Sequence, residues 1–256
     1  MKCVILAAGY ATRLRPLTDD LPKHLLPVGE RPMLEWVLDR VREVDEVDEI
    51  HLVTNSLFAP EFERWAMPHG VLVHDDETTS NEDRLGAVGD LNLVIETAGL
   101  RDDELLVLAG DNLFELSLPG LVEWWRAKPR PSSAVPLHNV GDLELATQYG
   151  IADVDDHDRI VRFVEKPSDP ASTLASTLIY LLPPEHVQLI RTYLDEGESP
   201  DNAGSFLGWL AGREPVYGFR FEGSWFDIGD REQLLEADNR MRRLAGLPER
   251  ESYSLD

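Results

Sequence analysis

Short apolar runs alternate with amphipathic stretches along most of the chain. Cys3 to Ala7 is a continuous apolar run, the pattern of a strand covered on both faces. Pro32 then opens Met33-Leu-Glu-Trp-Val-Leu-Asp-Arg-Val-Arg, in which Leu34, Val37, Leu38 and Val41 recur at helical spacing. That spacing predicts a helix with proline in its first turn. Glu49 to Thr54 predicts a second strand, Glu61 to Trp65 a short helix and Val71 to His74 a third strand. A polar, glycine-containing segment from Thr78 leads into a helix through Glu96, and Glu104 onward is again an apolar strand. Strands alternating with helices predict an α/β fold with a parallel sheet and right-handed crossovers. Ligands of such sheets bind at the C-terminal strand ends.

The second half is less regular. Ser132 to Pro136 reads as a strand, and Thr147 to Asp153 with Ile160 to Pro167 as a hairpin about Asp155-Asp-His-Asp158. Pro184 to Leu194 reads as a helix and Ser205 to Ala211 as a short one, with a polar loop between them. Pro215 to Glu222 reads as a strand. Arg231 to Arg243 reads as a helix with Leu234, Leu235, Ala237 and Met241 on its apolar side, and the tail from Gly246 as loop.

Charge narrows the range of partners. The 256 residues carry 48 acidic and 24 basic side chains, a formal charge of -24. Nucleic acid and anionic membrane both require a net positive surface, so neither is expected as a partner. A nucleotide needs only a local cationic pocket. The single cysteine, Cys3, forms no internal disulfide and falls in a strand as a small buried residue. Met1-Lys2 runs directly into that strand and no window has the length of a membrane span, so the expected setting is the cytoplasm.

Candidate chemistry starts at the end of the first strand. Ala7, Ala8 and Gly9 let a ligand approach the backbone N–H groups, Thr12 adds a hydroxyl, and Arg13, Arg15 and Lys23 add fixed positive charge. Such a loop suits a polyphosphate. It is neither a Walker A loop nor a G-x-G-x-x-G turn. A second signal is the strand ending in Gly110-Asp111, where a carboxylate beside the first loop is placed to hold Mg²⁺ on a triphosphate. Asn112 adjoins it. An ordinary strand-end turn has the same composition. The seven histidines show no metal spacing, His24 suits either the site or the core, and Trp124-Trp125 suits a helix packing face.

The run Leu6-Ala-Ala-Gly-Tyr-Ala-Thr-Arg-Leu-Arg-Pro-Leu-Thr18, followed by Pro22-Lys23, resembles the signature of sugar-1-phosphate nucleotidyltransferases, L-A-G-G-x-G-T-R-L-x-P-L-T then P-K. The resemblance extends over about residues 1–240. It implies a Rossmann-like three-layer α/β/α fold with a mixed, mainly parallel central sheet. It also implies one domain over 1–245, a nucleotide-binding half to about 130 and a sugar-phosphate half over about 131–230, with a tail over 246–256. On this resemblance Ala8, Gly9, Thr12, Arg13 and Lys23 bind the nucleotide. Leu85-Gly-Ala-Val-Gly-Asp-Leu91 matches the base-binding segment loosely, adding Gly86 and Asn81, with Arg84 beside them; Asn81 or Asp83 capping a helix is the structural alternative. Tyr149-Gly150 and Glu165-Lys166-Pro167 match the elements that hold the sugar and its phosphate, so Gly150, Glu165 and Lys166 bind the acceptor, with Thr177 and Tyr180 as further candidates. Trp225-Phe-Asp-Ile-Gly229 matches W-x-D-x-G, making Asp227 the second Mg²⁺ carboxylate beside Asp111 and leaving Trp225 to packing. Five positions depart from the family pattern: Ala8 and Ala11 stand for glycines, Asp90 for an apolar residue, Leu178 for the glycine of G-x-Y and Asp230 for a threonine.

The implied reaction joins a nucleoside triphosphate to a sugar 1-phosphate and releases pyrophosphate, with Arg13, Lys23, Asp111 and Asp227 as the catalytic set and Mg²⁺ as cofactor. The acceptor anion needs no general base; catalysis is positioning and charge stabilisation. Choline phosphate or a polyol phosphate would meet the same anchors. A silent homologue that only binds the nucleotide, and a glycosyltransferase with a similar sheet, are the alternatives. The latter generally needs a D-x-D motif, of which Asp111-Asn-Leu supplies only the first carboxylate. Family members are often dimers or tetramers, so a homo-oligomer is compatible with the resemblance.

Overall fold

The computed structural model describes residues 1–255. Its centre is a mixed sheet. From one edge the strands run Ile160–Glu165, Gly150–Val154, Leu174–Ser176, Ser133–Asn139, Ile179–Leu182, Leu105–Ala109, Lys2–Leu6, Glu49–Thr54 and Leu72–Asp75. Val216–Phe221 pairs in parallel along Ser133–Asn139 as a branch. The strands of the first half are parallel throughout: Lys2–Leu6 lies between Glu49–Thr54 and Leu105–Ala109, and Glu49–Thr54 pairs on with Leu72–Asp75. The second half enters antiparallel through Ile179–Leu182, which pairs Ile179 with Leu108. Apolar clusters on the two faces of this sheet form the core, and Cys3, Ile5, Leu106 and Leu108 face one while Val4, Leu105 and Val107 face the other. Continuous apolar runs are what a doubly covered sheet requires.

Most of the expected elements form within a residue or two of their expected ends. The helix Met33–Arg42 buries Leu34, Val37, Leu38 and Val41. Ala87–Ala98, Ala203–Ala211 and Arg231–Leu244 are helices, the last burying Leu234, Ala237 and Met241. The single expected helix from Pro184 is two short ones, Pro184–Val187 and Leu189–Asp195, abutting at Gln188. The helix at Ala87 starts later than Asn81 or Asp83 allows. Its first N–H groups donate instead to the Pro200 and Asp201 carbonyls, while Asp83 receives the Thr79 and Ser80 amides in the turn before it. Trp125 is fully buried and donates Nε1–H to the Ser132 carbonyl, so Trp124-Trp125 is a packing face.

One short pairing brings distant parts of this chain together. Asn112–Phe114, just past the strand Leu105–Ala109, pairs antiparallel with Trp225–Asp227, placing Asp227 opposite Asn112. The helix that follows is capped by Asp230, whose carboxylate accepts from the Gln233 amide. Aspartate caps a helix about as well as threonine, which gives Asp230 a structural purpose at that position.

Candidate active site

The parallel strands end together, so their C-terminal loops converge. Asn55 donates its side-chain amide to the Ala8 carbonyl at 2.8 Å, tying the first loop to the end of Glu49–Thr54. Gly110 donates to the Leu6 carbonyl at 2.9 Å, which fixes Asp111 against the same loop. Gly110 needs to be glycine here: a Cβ would lie 2.9 Å from the His24 ring.

Lys23 sits in the short turn Lys23–Leu25 and points inward. Its ammonium pairs with Asp111 and donates to the Ile228 carbonyl at 2.8 Å. Asn112 joins the two carboxylates, its amide donating to Asp111 Oδ1 at 3.1 Å and to Asp227 Oδ1 at 3.3 Å. Trp225 fixes that amide by donating to Asn112 Oδ1 at 2.7 Å, so it positions the carboxylates besides packing. Burial by itself would raise Asp111; the adjacent Lys23 more than reverses this and holds it below the ordinary carboxylate range. Asp227 lacks such a partner, and burial with the Asp111 charge pushes it up to about 6. The pair therefore holds more negative charge than Lys23 offsets. That donor set fits a hard divalent cation taking its remaining ligands from phosphate oxygens and water. Among the described residues no group of three His, Cys, Asp or Glu side chains converges on one ion, so the protein alone does not complete a coordination sphere.

Two cavities meet at this point. One, of about 230 Å³, is walled by Ala8, Gly9, Lys23, His24, Arg84, Gly86, Ala87, Asp90 and Asp201. The other, of about 200 Å³, is walled by Asn112, Gln148, Tyr149, Gly150, Glu165, Lys166, Ser176, Tyr180, Asn202, Gly204, Trp225 and Asp227. Ala109, Asp111 and Leu178 belong to both. Of the residues expected at the nucleotide, Ala8, Gly9, Lys23 and Gly86 line the first cavity, and of those expected at the acceptor, Gly150, Glu165, Lys166 and Tyr180 line the second, with Asp111 between them.

Several expected residues stand elsewhere. Arg13 is exposed, its guanidinium lying against Gly229, where an added Cβ would come within 2.7 Å of Nη2. This puts it at the loop that carries Asp227. Thr12 is exposed in the turn Thr12–Leu14. Asn81 is exposed and lies outside both cavity walls; its carbonyl accepts from Arg84 at 2.8 Å. Thr177 is fully buried and donates to the Pro136 carbonyl at 3.2 Å, so the alternation of the strand turns Ser176 and Leu178 toward the cavity instead. Asn202 and Gly204 also line the acceptor side, and their Asp201-Asn-Ala-Gly204 run has the look of an ordinary loop in sequence.

The acceptor side holds Glu165 by packing. A Cβ on Gly150 would meet the Phe163 ring at 2.4 Å and Glu165 Oε2 at 2.8 Å, and one on Gly204 would meet Oε2 at 2.0 Å. Burial raises the Glu165 carboxyl. Lys166 is exposed at φ 46°, a left-handed conformation uncommon for lysine and frequent at functional positions. His24, 3% exposed, is lowered to about 4 by burial and by Lys23, so it faces the first cavity as a neutral ring. Ala11 takes φ 46°, ψ 41°, the left-handed region where glycine carries no Cβ penalty.

Residues 2–243 match the family model described as nucleotidyl transferase. The chain is 32% identical over 244 residues to a UTP–glucose-1-phosphate uridylyltransferase of Synechocystis, covering 90% of this chain and 60% of that protein. It is 30% identical over 244 residues to a mannose-1-phosphate guanyltransferase of Yarrowia lipolytica, covering 92% and 62%. The chain thus spans about 60% of the length of these relatives. A Bacillus anthracis crystal structure, assigned as a glucose-1-phosphate thymidylyltransferase and holding a sucrose, superposes with a TM-score of 0.82 at 26% identity over 94% of this chain and 95% of that one. With the converged loops and the paired aspartates, these matches establish that the chain belongs to the nucleotidyl transferase family.

Proposed function

We propose that this chain condenses a nucleoside triphosphate with a sugar 1-phosphate or a similar phosphorylated acceptor. The observation that carries the reading is the pair of cavities sharing Asp111, one with the basic strand-end loop and the other with Glu165 and Lys166. Two ligands seated there meet at one carboxylate. Relatives named for uridylyl and guanylyl transfer to sugar 1-phosphates support the same class while differing in base and sugar. No helix among the described residues is long and apolar enough to cross a membrane.

A phosphate oxygen of the acceptor attacks the α-phosphorus, and the bond from that phosphorus to the oxygen bridging the β-phosphate breaks. The electron pair leaves with pyrophosphate. The acceptor is already anionic, so no proton must be taken from it. Lys166 holds the acceptor phosphate, Glu165 accepts from acceptor hydroxyls, Lys23 offsets charge on the triphosphate, and Arg13 adds positive charge at the loop that carries Asp227. Asp111 and Asp227 are the residues that would hold Mg²⁺, which when bound supplies Lewis-acid neutralisation of phosphate charge. Asn112 and Trp225 keep both carboxylates aimed at the junction.

The test is a matrix of nucleoside triphosphates against phosphorylated acceptors, read by pyrophosphate release with and without Mg²⁺. At least one pair should turn over, and Asp111→Asn should lower kcat by about a hundredfold or more. Absence of release from every pair, or an unaffected Asp111→Asn variant, would refute the reading.

A further inference from the structure

Three residues wall both cavities. Asp111 brings charge and Ala109 only a methyl, whereas Leu178 brings a branched apolar side chain. Leu178 stands at the bend between the strands Leu174–Ser176 and Ile179–Leu182. Its backbone is fixed on both sides. The Leu178 carbonyl accepts from the Ala109 amide at 3.0 Å, and Ile179 after it pairs with Leu108. Thr177 before it donates its amide and its hydroxyl to the Pro136 carbonyl. Thr177 and Ile179 are fully buried, so Leu178 between them is the residue turned to the cavities. It is half-buried and packs on the apolar cluster that covers this face of the sheet. A side chain backed in this way has little room to withdraw.

Transfer requires the acceptor phosphate at the junction of the cavities, where it can reach the α-phosphorus. The acceptor atoms nearest Leu178 are then the phosphate-bearing carbon and its immediate neighbours. In a sugar 1-phosphate these neighbours are the ring oxygen, which carries nothing further, and the second ring carbon, which carries a substituent. A side chain that narrows the junction therefore acts on that substituent. A hydroxyl there is a single heavy atom, whereas an acetamido group is several. Admitting the larger group would push a packed leucine off its rotamer or shift its backbone. The acetamido N–H and C=O would also leave water for an apolar wall that offers them no partner.

We propose that Leu178 sets acceptor specificity by closing the space beside the phosphate-bearing carbon, selecting a hexose 1-phosphate with a free hydroxyl on its second carbon over the 2-acetamido-2-deoxy counterpart. The proposal rests on the nucleotidyl-transfer reading for the position of the acceptor phosphate.

The experiment sets the 1-phosphates of glucose, galactose and mannose against their 2-acetamido-2-deoxy counterparts. The full chain with Mg²⁺ is assayed by pyrophosphate release with each triphosphate. Equilibrium binding of each acceptor is measured beside α,β-methylene triphosphates, whose bridge does not break. At least one hexose 1-phosphate should exceed its acetamido counterpart by about tenfold or more in affinity and in kcat/KM, the discrimination of a pocket too small for an added group. Leu178→Ala opens the junction and should bring that pair within about threefold, chiefly through the KM of the acetamido acceptor. Leu178→Val, the milder change, should narrow the ratio in the same direction. A general loss of packing would weaken both acceptors together and leave their ratio as it was; thermal melts confirm folding. Parity or an acetamido preference in the parent, or an unchanged ratio in the folded variants, would overturn the proposal. Selective acceptor binding without pyrophosphate release would remove the transfer reading and leave this one standing. Release with acetamido acceptors used equally well would do the reverse, and failure of every acceptor to bind or react would overturn both.

Discussion

Replacing Lys23 by methionine keeps most of the side-chain volume and deletes the one cation paired with Asp111. Lys23 and Asp111 are 11% and 20% exposed, so their interaction is only partly screened. Breaking a buried pair from one side costs about 3–5 kcal/mol. Screening by solvent in the adjoining cavities brings this down to about 2–3 kcal/mol, or a fall in Tm of roughly 5–10 °C for a chain of this size. The same change reverses a pH slope. In the parent, Asp111 lies below its ordinary range, so its contribution is present above about pH 4 and is lost as pH falls through the depressed folded value. Without Lys23, burial and Asp227 raise Asp111, and the variant loses stability as pH rises instead. Adding Asp111→Asn to Lys23→Met should restore about 1–2 kcal/mol at pH 8 by removing the stranded charge. Turnover should be lost in both single variants and in the double. The assays are thermal melts from pH 4 to 8 and pyrophosphate release. An unshifted Tm in Lys23→Met, or a double variant less stable than Lys23→Met alone, would refute the argument that this pair organises the site.

Asp227 titrates at about 6 in the folded chain, so its stabilising contribution is complete below about pH 4 and is lost as pH rises through 6. Asp227→Asn should therefore melt above the parent at pH 8, with the difference closing toward pH 4, while turnover disappears. Gly204→Ala puts a methyl 2.0 Å from Glu165 Oε2 and must displace that carboxylate; steady-state kinetics should show kcat/KM for the acceptor falling by about tenfold to a hundredfold, with nucleotide binding unchanged. Ala11→Gly relieves the left-handed Cβ contact at φ 46° but frees the unfolded chain, for a net gain of about 0.5 kcal/mol. A lowered Tm in that variant would count against a strained loop.

Much of this molecule is written locally. The run from Cys3 to Ala7 can satisfy its apolar side chains only between two layers, and the stripe on Met33–Arg42 can satisfy its own only against a sheet. The identity of the cationic loop was equally plain, because small residues followed by Arg13 and Lys23 at fixed offsets form a short-range pattern. Acceptor residues were partly legible: Gly150 and Glu165 carry a motif, whereas Asn202 and Gly204 lie in a polar loop without one. Thr177 was misplaced because strand alternation decides which neighbour faces the cavity, and that phase is set by pairing with Ser133–Asn139 and Leu105–Ala109.

Only the tertiary structure could bring Asp227 to Asp111. Their meeting depends on a three-residue antiparallel pairing between segments more than a hundred residues apart, and on an Asn112 amide that bonds both carboxylates. The consequences of that meeting were also invisible in the chain itself. Whether a carboxyl is held down, as Asp111 is by Lys23, or held up, as Asp227 and Asp90 are, depends on burial and on the nearest charge, and both are properties of the packed molecule.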